Sequence, residues 1–390
     1  MNLCFLCNEY PPAPYGGIGN GTQLLARALT QAGHQVKVVG VYRPKHVGSG
    51  FEVDRGVEVY RIPIPKRDAL SIRARASVYR MVSEWSRGGA IEMIEVPDPE
   101  GWAAWWPKLR VPVIGRVHGS VAYFAGELKR ACGRFTYAVE RASMRRADFW
   151  SSVSRYAAEK TSALFRLSTA GRILYPAVDL PTESDWNSRS EGKVVYAGTL
   201  TLKKGILSLV KSWPMVRRDG RNAELHIFGK ETPAPDGGLM SAYLLAHVPE
   251  EDRDSIVFHG HAPKSELTDA LRTARAAVFP SYAEAFAATP MEAMAEGCPT
   301  IYSSRTSGRE LIEDGRNGLL IDPDQPSQIA GAMLRLLSDE SFARRIGEAG
   351  RARVRERHSL EAVVPRLTEY YLECIEGFRA GSRVRLCSSQ

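Results

Sequence analysis

The chain lacks the features that would place it in several large classes. No run of about 18 apolar residues occurs in its 390, so no helix spanning a membrane is expected. Cysteine is scarce, six residues at 4, 7, 132, 298, 374 and 387, too few and too scattered for a disulfide framework. Cys4-Phe5-Leu6-Cys7 has C-x-x-C spacing, but it lies in an apolar run and no second pair completes a zinc site. Two core thiols in a reducing compartment, and no bound metal, are expected. The N-terminus shows neither a basic leader nor a small-residue cleavage site, so a cytoplasmic protein is expected. With 44% hydrophobic and 25% charged residues, disorder and collagen-like order are excluded.

What is present is an excess of positive charge, unevenly placed. Lys and Arg number 52 against 44 Asp and Glu, a net charge of +8. Residues 1–180 hold 25 basic and 15 acidic residues, whereas the remainder holds 27 and 29. Arg73, Arg75, Arg80 and Arg87, then Arg130, Arg134, Arg141, Arg145 and Arg146, form basic stretches at helical spacing. An anionic substrate or an anionic membrane at the inner face of the cell would match this bias, as peripheral contact only. No nucleic-acid recognition motif accompanies the charge, so nucleic acid is not an expected partner.

Short apolar runs alternate with longer stretches of helical periodicity, the pattern of parallel α/β sheets. Strands are predicted at 3–7, 36–41, 91–96, 111–117, 149–153 and 173–175, with helices at 22–32, 72–85, 134–146 and 155–164. The polar, proline-flanked run 179–192 reads as a linker, after which strands at 194–197, 225–228, 256–259, 276–279, 300–302 and 319–321 restart the pattern. Trp102, Trp105 and Trp106, at i, i+3 and i+4, predict one apolar helix face. Two Rossmann-like α/β domains, 1–178 and 193–357, are expected to meet across a cleft, with ligands at the carboxyl ends of their strands.

Three strand-to-helix loops carry the chemistry. The first, Gly16-Gly17-Ile18-Gly19-Asn20-Gly21, allows a backbone to approach a phosphate or sugar closely. A dinucleotide fingerprint would need glycine at Thr22 and an acid closing the second strand near Val41, so nicotinamide chemistry is disfavoured. In the second, Thr199 to Gly205, Lys203 and Lys204 stand just ahead of a helix, where a lysine can neutralise phosphate. In the third, Glu284 sits in the loop after a buried strand and Glu292 a turn into the next helix. Two carboxylates around an open, small-residue backbone suit vicinal hydroxyls. Glu9, Tyr10 and Asp98, at strand ends of the first domain, are candidates for the acceptor side.

The Glu284-x7-Glu292 element, with Pro280-Ser281 before it and Gly297-x-Pro299 after it, resembles the retaining glycosyltransferases of family 4, which have the GT-B fold. Gly16-Gly17-Ile18-Gly19, His118-Gly119, Lys204-Gly205 and Asn317-Gly318 extend the likeness in the family's order. The resemblance implies a metal-independent hexosyl transfer from a nucleotide-sugar, UDP before GDP, to a glycan, lipid-linked or small-molecule acceptor, with no cofactor. It implies that Glu292 accepts from the donor's ribose and Glu284 holds hydroxyls of the transferred sugar. The backbones of Phe286, Ala287 and Ala288 would meet diphosphate and sugar. Lys204, with Gly17, Gly19 and Thr199, would border the diphosphate, and His118 would face the sugar. It further implies that helix 358–378 packs back on the first domain, ahead of a tail at 379–390. The family usually has Arg where Thr199 stands, glycines where Ala285 and Ala287 stand, and leucine where Ala288 stands. Those departures suit an alternative, a nucleotide-sugar-binding protein of the same fold with little catalysis.

Overall fold

The computed structural model describes residues 1–14, 16–64, 72–167, 171–181, 185–219 and 222–381. They divide into two units, Met1–Ala177 with Leu360–Gln390, and Val178–Ser359. Unit 1 is built on an eight-stranded sheet of order β3-β4-β2-β1-β5-β6-β7-β8. The strands are β1 (Asn2–Leu6), β2 (Gln35–Tyr42), β3 (Phe51–Asp54), β4 (Val57–Pro63), β5 (Met93–Pro97), β6 (Val113–Val117), β7 (Phe149–Ser152) and β8 (Arg172–Ile173). The helices between them are α1 (Gly17–Gln31), α2 (Ile72–Arg87), α3 (Val121–Glu127), α4 (Arg134–Arg146) and α5 (Arg155–Phe165). Every strand pair is parallel except β3 with β4.

That hairpin was not predicted. Its two-residue turn, Arg55-Gly56, takes φ of +50° and +88°, the left-handed geometry that a tight hairpin demands. The signal was there in Val57-Glu58-Val59, which alternates buried and half-buried residues along the strand. A second difference concerns the tryptophans. Pro99–Gly101 is a short 3-10 turn followed by further turns, not a helix. Trp102 and Trp106 are buried, yet Trp105 adopts φ +58° and stays 68% exposed. Pro97, Pro99 and Pro107 flank the stretch and remove the backbone donors that a helix would use.

Unit 2 holds a six-stranded, wholly parallel sheet of order β11-β10-β9-β12-β13-β14. Its strands are β9 (Lys193–Ala197), β10 (Glu224–Phe228), β11 (Ile256–Gly260), β12 (Ala276–Phe279), β13 (Thr300–Ser303) and β14 (Leu319–Ile321). Its helices are α6 (Ile206–Arg217), α7 (Met240–Leu245), α8 (Glu250–Arg253), α9 (Lys264–Thr273), α10 (Ala288–Ala295), α11 (Gly308–Leu311), α12 (Pro326–Ser338) and α13 (Glu340–His358). Both faces of the sheet are covered: Leu209, Trp213 and Met333 belong to one core, and Leu271, Met291 and Val354 to the other. Burial on both sides is why these strands read as continuous apolar runs.

The stretch expected as a linker is anchored within unit 2. Arg189 donates to the carbonyls of Leu271, Ala274 and Glu296, and Arg351 donates to that of Pro181. Residues 182–184 lie outside the described residues. The last helix, α14 (Leu360–Arg379), contributes Val363, Leu367, Tyr370, Tyr371 and Ile375 to the core beneath α1 and β1 in unit 1. There Tyr371 donates to Glu95 Oε2 at 2.7 Å, and Glu95 also pairs with the buried Arg116. Of the expected tail, residues 382–390 lie outside the described residues.

Candidate active site

In unit 2 the loops after β9 and β12 are drawn together by Gly205. Its φ is +70°, and a Cβ there would lie 1.8 Å from the carbonyl oxygen of Pro280. Only glycine fits, so the lysine-bearing turn 202–204 lies directly against the loop that starts at Pro280. The Tyr282 N–H closes the contact by donating to the Lys203 carbonyl at 2.8 Å. In consequence Lys204 Nζ donates to Glu284 Oε1, a pair in which the carboxylate is buried and the lysine partly open. Lys203 is half-buried as well, and burial lowers its pKa. Thr199 is exposed, with its carbonyl near the Tyr196 hydroxyl.

After Glu284 the chain passes Phe286, Ala287 and Ala288, all half-buried, and enters α10. Ala287 is the N-cap and supplies no side-chain acceptor, and the first turn holds no acid. Pro290 in the first turn has no N–H, which leaves those of Ala288 and Thr289 at a helix start that its N-cap residue does not cap. Phe286 packs at a tilt against the buried His358, 5.4 Å between ring centres. Glu292 lines a cavity of about 280 Å³ with Lys264, Arg272, Glu296 and the segment Val178–Pro181. Burial raises the Glu292 pKa, and the charge of Lys264 opposes that shift.

Unit 1 treats its glycine-rich loop differently from the expectation. The helix starts at Gly17, not Thr22, so Gly17, Gly19 and Gly21 belong to α1. Glu9 makes this possible: its carboxylate accepts from Gly16 N–H at 3.1 Å and Gly19 N–H at 2.7 Å. An anion at a helix start offsets the low helix propensity of glycine. Glu9, the first of the acceptor-side candidates, thus caps the start of α1. Tyr10 is the second candidate. It is fully buried, and its hydroxyl donates to Asp54 at 2.7 Å, where Arg27 also binds. Tyr15 lies outside the described residues.

Asp98 is 2% exposed and accepts from the His118 backbone N–H at 2.6 Å. It thus positions the His118 loop. Burial raises its pKa to about 7, and nearby Glu140 adds to the rise. His118 itself is half-buried, and burial, with help from Arg116, lowers its pKa to about 3. Its ring is neutral near pH 7. The sequence reading missed Glu140, which is wholly buried and accepts from the N–H groups of Val121 and Ala122 at 2.9 and 3.0 Å. Two buried carboxyls therefore fix the segment from His118 to the start of α3. A lone acid inside the arginine-rich run 134–146 was the available signal.

Asp322-Pro323-Asp324 has Asp-x-Asp spacing, but both carboxylates pair with Arg305. Among the described residues no group of three His, Cys, Asp or Glu side chains is arranged to hold a metal.

Comparison with known proteins agrees with this architecture. Residues 16–175 match the family described as "Glycosyl transferase 4-like domain", and residues 183–353 match "Glycosyl transferases group 1". An uncharacterized glycosyltransferase of Methanocaldococcus jannaschii is 26% identical, over 96% of this chain and 99% of its own. Glycogen synthase of Mycobacterium tuberculosis is 25% identical, over 97% and 96%. Among solved structures, sucrose-phosphate synthase from Thermosynechococcus elongatus has a TM-score of 0.74 at 21% identity, over 97% of this chain and 99% of its own. Anabaena HepE, solved in complex with UDP and glucose, has a TM-score of 0.69 at 15% identity, over 95% and 99%. These last two likenesses concern the fold.

Proposed function

This chain belongs to the family 4 glycosyltransferases of GT-B fold, and from that premise we propose a metal-independent enzyme that transfers a hexosyl group from a nucleotide-sugar with retention of configuration. UDP is the preferred nucleotide, and the acceptor is a hydroxyl of a glycan, lipid-linked or small-molecule substrate. The observation that carries the reading is the Lys204–Glu284 pair beside the uncapped start of α10. A diphosphate at that helix start gains its free N–H groups and competes with Glu284 for the lysine. Glu284, once released, becomes an acceptor for sugar hydroxyls.

In the reaction, the bond from the anomeric carbon to the diphosphate oxygen breaks through an oxocarbenium-like state. The acceptor oxygen forms the new bond on the same face, and its proton passes to the departing phosphate oxygen. Lys204 and the α10 N–H groups stabilise the charge that grows on that phosphate, where preorganised charge has most effect. His118, held neutral, is assigned to hydrogen bonding with the transferred sugar. Glu292, with its proton affinity raised by burial, is assigned to the ribose hydroxyls.

A second reading is a nucleotide-sugar-binding protein with little catalysis, favoured by the exposed Thr199, which brings no charge. One experiment separates the two. UDP-glucose and related sugars are screened by thermal shift with EDTA, and the hits are followed for sugar release or transfer by NMR. Product of retained anomeric configuration supports the enzyme; tight binding without turnover supports the alternative. Glu292→Ala is expected to weaken nucleotide binding by about 1–3 kcal/mol.

A further inference from the structure

The charge bias of unit 1 is concentrated in one stretch. Residues 101–146 hold nine Lys and Arg against two acids, Glu127 and Glu140. Neither acid is available to balance them: Glu140 is fully buried, and Glu127 is engaged by Lys160 and the Tyr156 hydroxyl. Lys108, Arg110, Lys129, Arg130, Arg134 and Arg145 are exposed, and their side chains have no partner among the described residues. Cations left unpaired together cost the fold through mutual repulsion, so a partner outside the chain is the economical reason for keeping them.

Apolar groups stand among these cations. On the outward face of α4, Phe135 is 57% exposed beside Arg134, with exposed Ala138 and Arg145 continuing the face. Arg134 and Arg145, eleven positions apart, span about 16 Å at helical rise. At the far end Arg146 donates to the carbonyls of Trp106 and Pro107 at 2.8 and 3.1 Å, which ties the Trp105 turn to the end of α4. Trp105 holds a left-handed backbone that costs a bulky residue energy, and yet the indole goes outward, not into the core.

We propose that this face, the outer side of α4 with the Trp105 turn, is a docking surface for an anionic lipid bilayer. The indole and Phe135 would enter the headgroup level, where amphipathic rings are favoured, while the arginines meet lipid phosphates. No helix among the described residues is long and apolar enough to cross a membrane, so the attachment is peripheral. The inference rests on this surface alone and not on the sugar chemistry.

The test is flotation of the full chain with vesicles of phosphatidylcholine, with and without phosphatidylglycerol. Association is expected with the anionic vesicles only, falling steeply from low to physiological salt. Arg134→Glu with Arg145→Glu is expected to weaken it by about tenfold or more. Trp105→Ala is expected to weaken it several-fold and to abolish the fluorescence blue shift on binding. Thermal melts and UDP affinity, both expected unchanged, show that each variant is folded. Absence of binding to anionic vesicles at low salt, or wild-type binding by the double variant, overturns the proposal. So does tighter binding to single-stranded RNA than to the vesicles, which would make the face a nucleic-acid surface.

Discussion

Two helices of this protein begin just past a parallel strand, and they begin differently. In unit 1, Glu9, a carboxylate eight residues ahead of Gly17, accepts from the N–H of the N-cap residue Gly16 and from that of Gly19 in the first turn of α1. In unit 2, α10 opens with Ala287, which gives it no acceptor. Both starts carry the same partial positive charge, so the difference lies in what answers it. The first is satisfied within the chain and serves stability. The second has no side-chain cap from its N-cap residue, and it is there that the proposed diphosphate would bind.

The sharpest way to break this comparison is through the glycines. Gly205→Ala places a Cβ against the Pro280 carbonyl at a left-handed φ and is expected to cost roughly 3 kcal/mol or more. Gly17→Ala meets nothing within 4 Å in a helix and is expected to be neutral or stabilising by up to about 1 kcal/mol. Denaturant titrations of the two variants decide it; comparable losses would mean that the loops of unit 2 are not wedged together by Gly205. Next comes chemistry. Lys204→Ala is expected to lower turnover by about 10²–10³ while weakening UDP binding far less, as calorimetry and initial rates would report.

A smaller effect follows from exchanging the two kinds of helix start. Ala287→Asp should cap α10 and stabilise unit 2 by about 1 kcal/mol, at the expense of about tenfold or more in UDP affinity. Glu9→Gln should destabilise unit 1 by about 1 kcal/mol and leave UDP affinity as it was. If the aspartate is harmless to UDP binding, the open start of α10 is not the diphosphate site.

The smallest effect is on the pH dependence of stability. Asp98, raised to about 7, binds its proton more tightly folded than unfolded, so its contribution falls as pH rises from about 4 to 7. His118, lowered to about 3, binds its proton less tightly folded, so its contribution rises between about 3 and 6.5. The two oppose each other over most of that window. Asp98→Asn should therefore make stability climb more steeply between pH 4 and 6.5 than in the wild type, as melts across that range would show; an unchanged slope would mean that Asp98 is ionised in the native state.

Much of the fold was legible because parallel strands covered on both faces must be apolar throughout. Ala276–Phe279 and Leu319–Ile321 in unit 2 have the bounds their apolar runs predicted. The β3–β4 hairpin was not found, since Phe51 and Val53 are exposed and alternation on an edge strand is weak. The tryptophan spacing misled for a plain reason. A 3.6-residue period in three side chains says nothing of the prolines around them, which decide whether the backbone can close a helix.

Within the site, residue types pointed to the chemistry and left the contacts open. The chain by itself determined that a lysine precedes α6, that two carboxylates flank the start of α10, and that α10 has no acidic cap, because these are matters of order along a strand-loop-helix unit. Only the tertiary structure decided that Lys204 pairs with Glu284, 80 residues away, and that Glu292 and Lys264 line one cavity. It alone showed the partners of Glu9, Tyr10 and Asp98 within the chain: the start of α1, Asp54 and the His118 backbone. Spacing records which groups are near in sequence, whereas the partner that a polar group finds depends on which loops the sheet brings together, and burial then sets its charge.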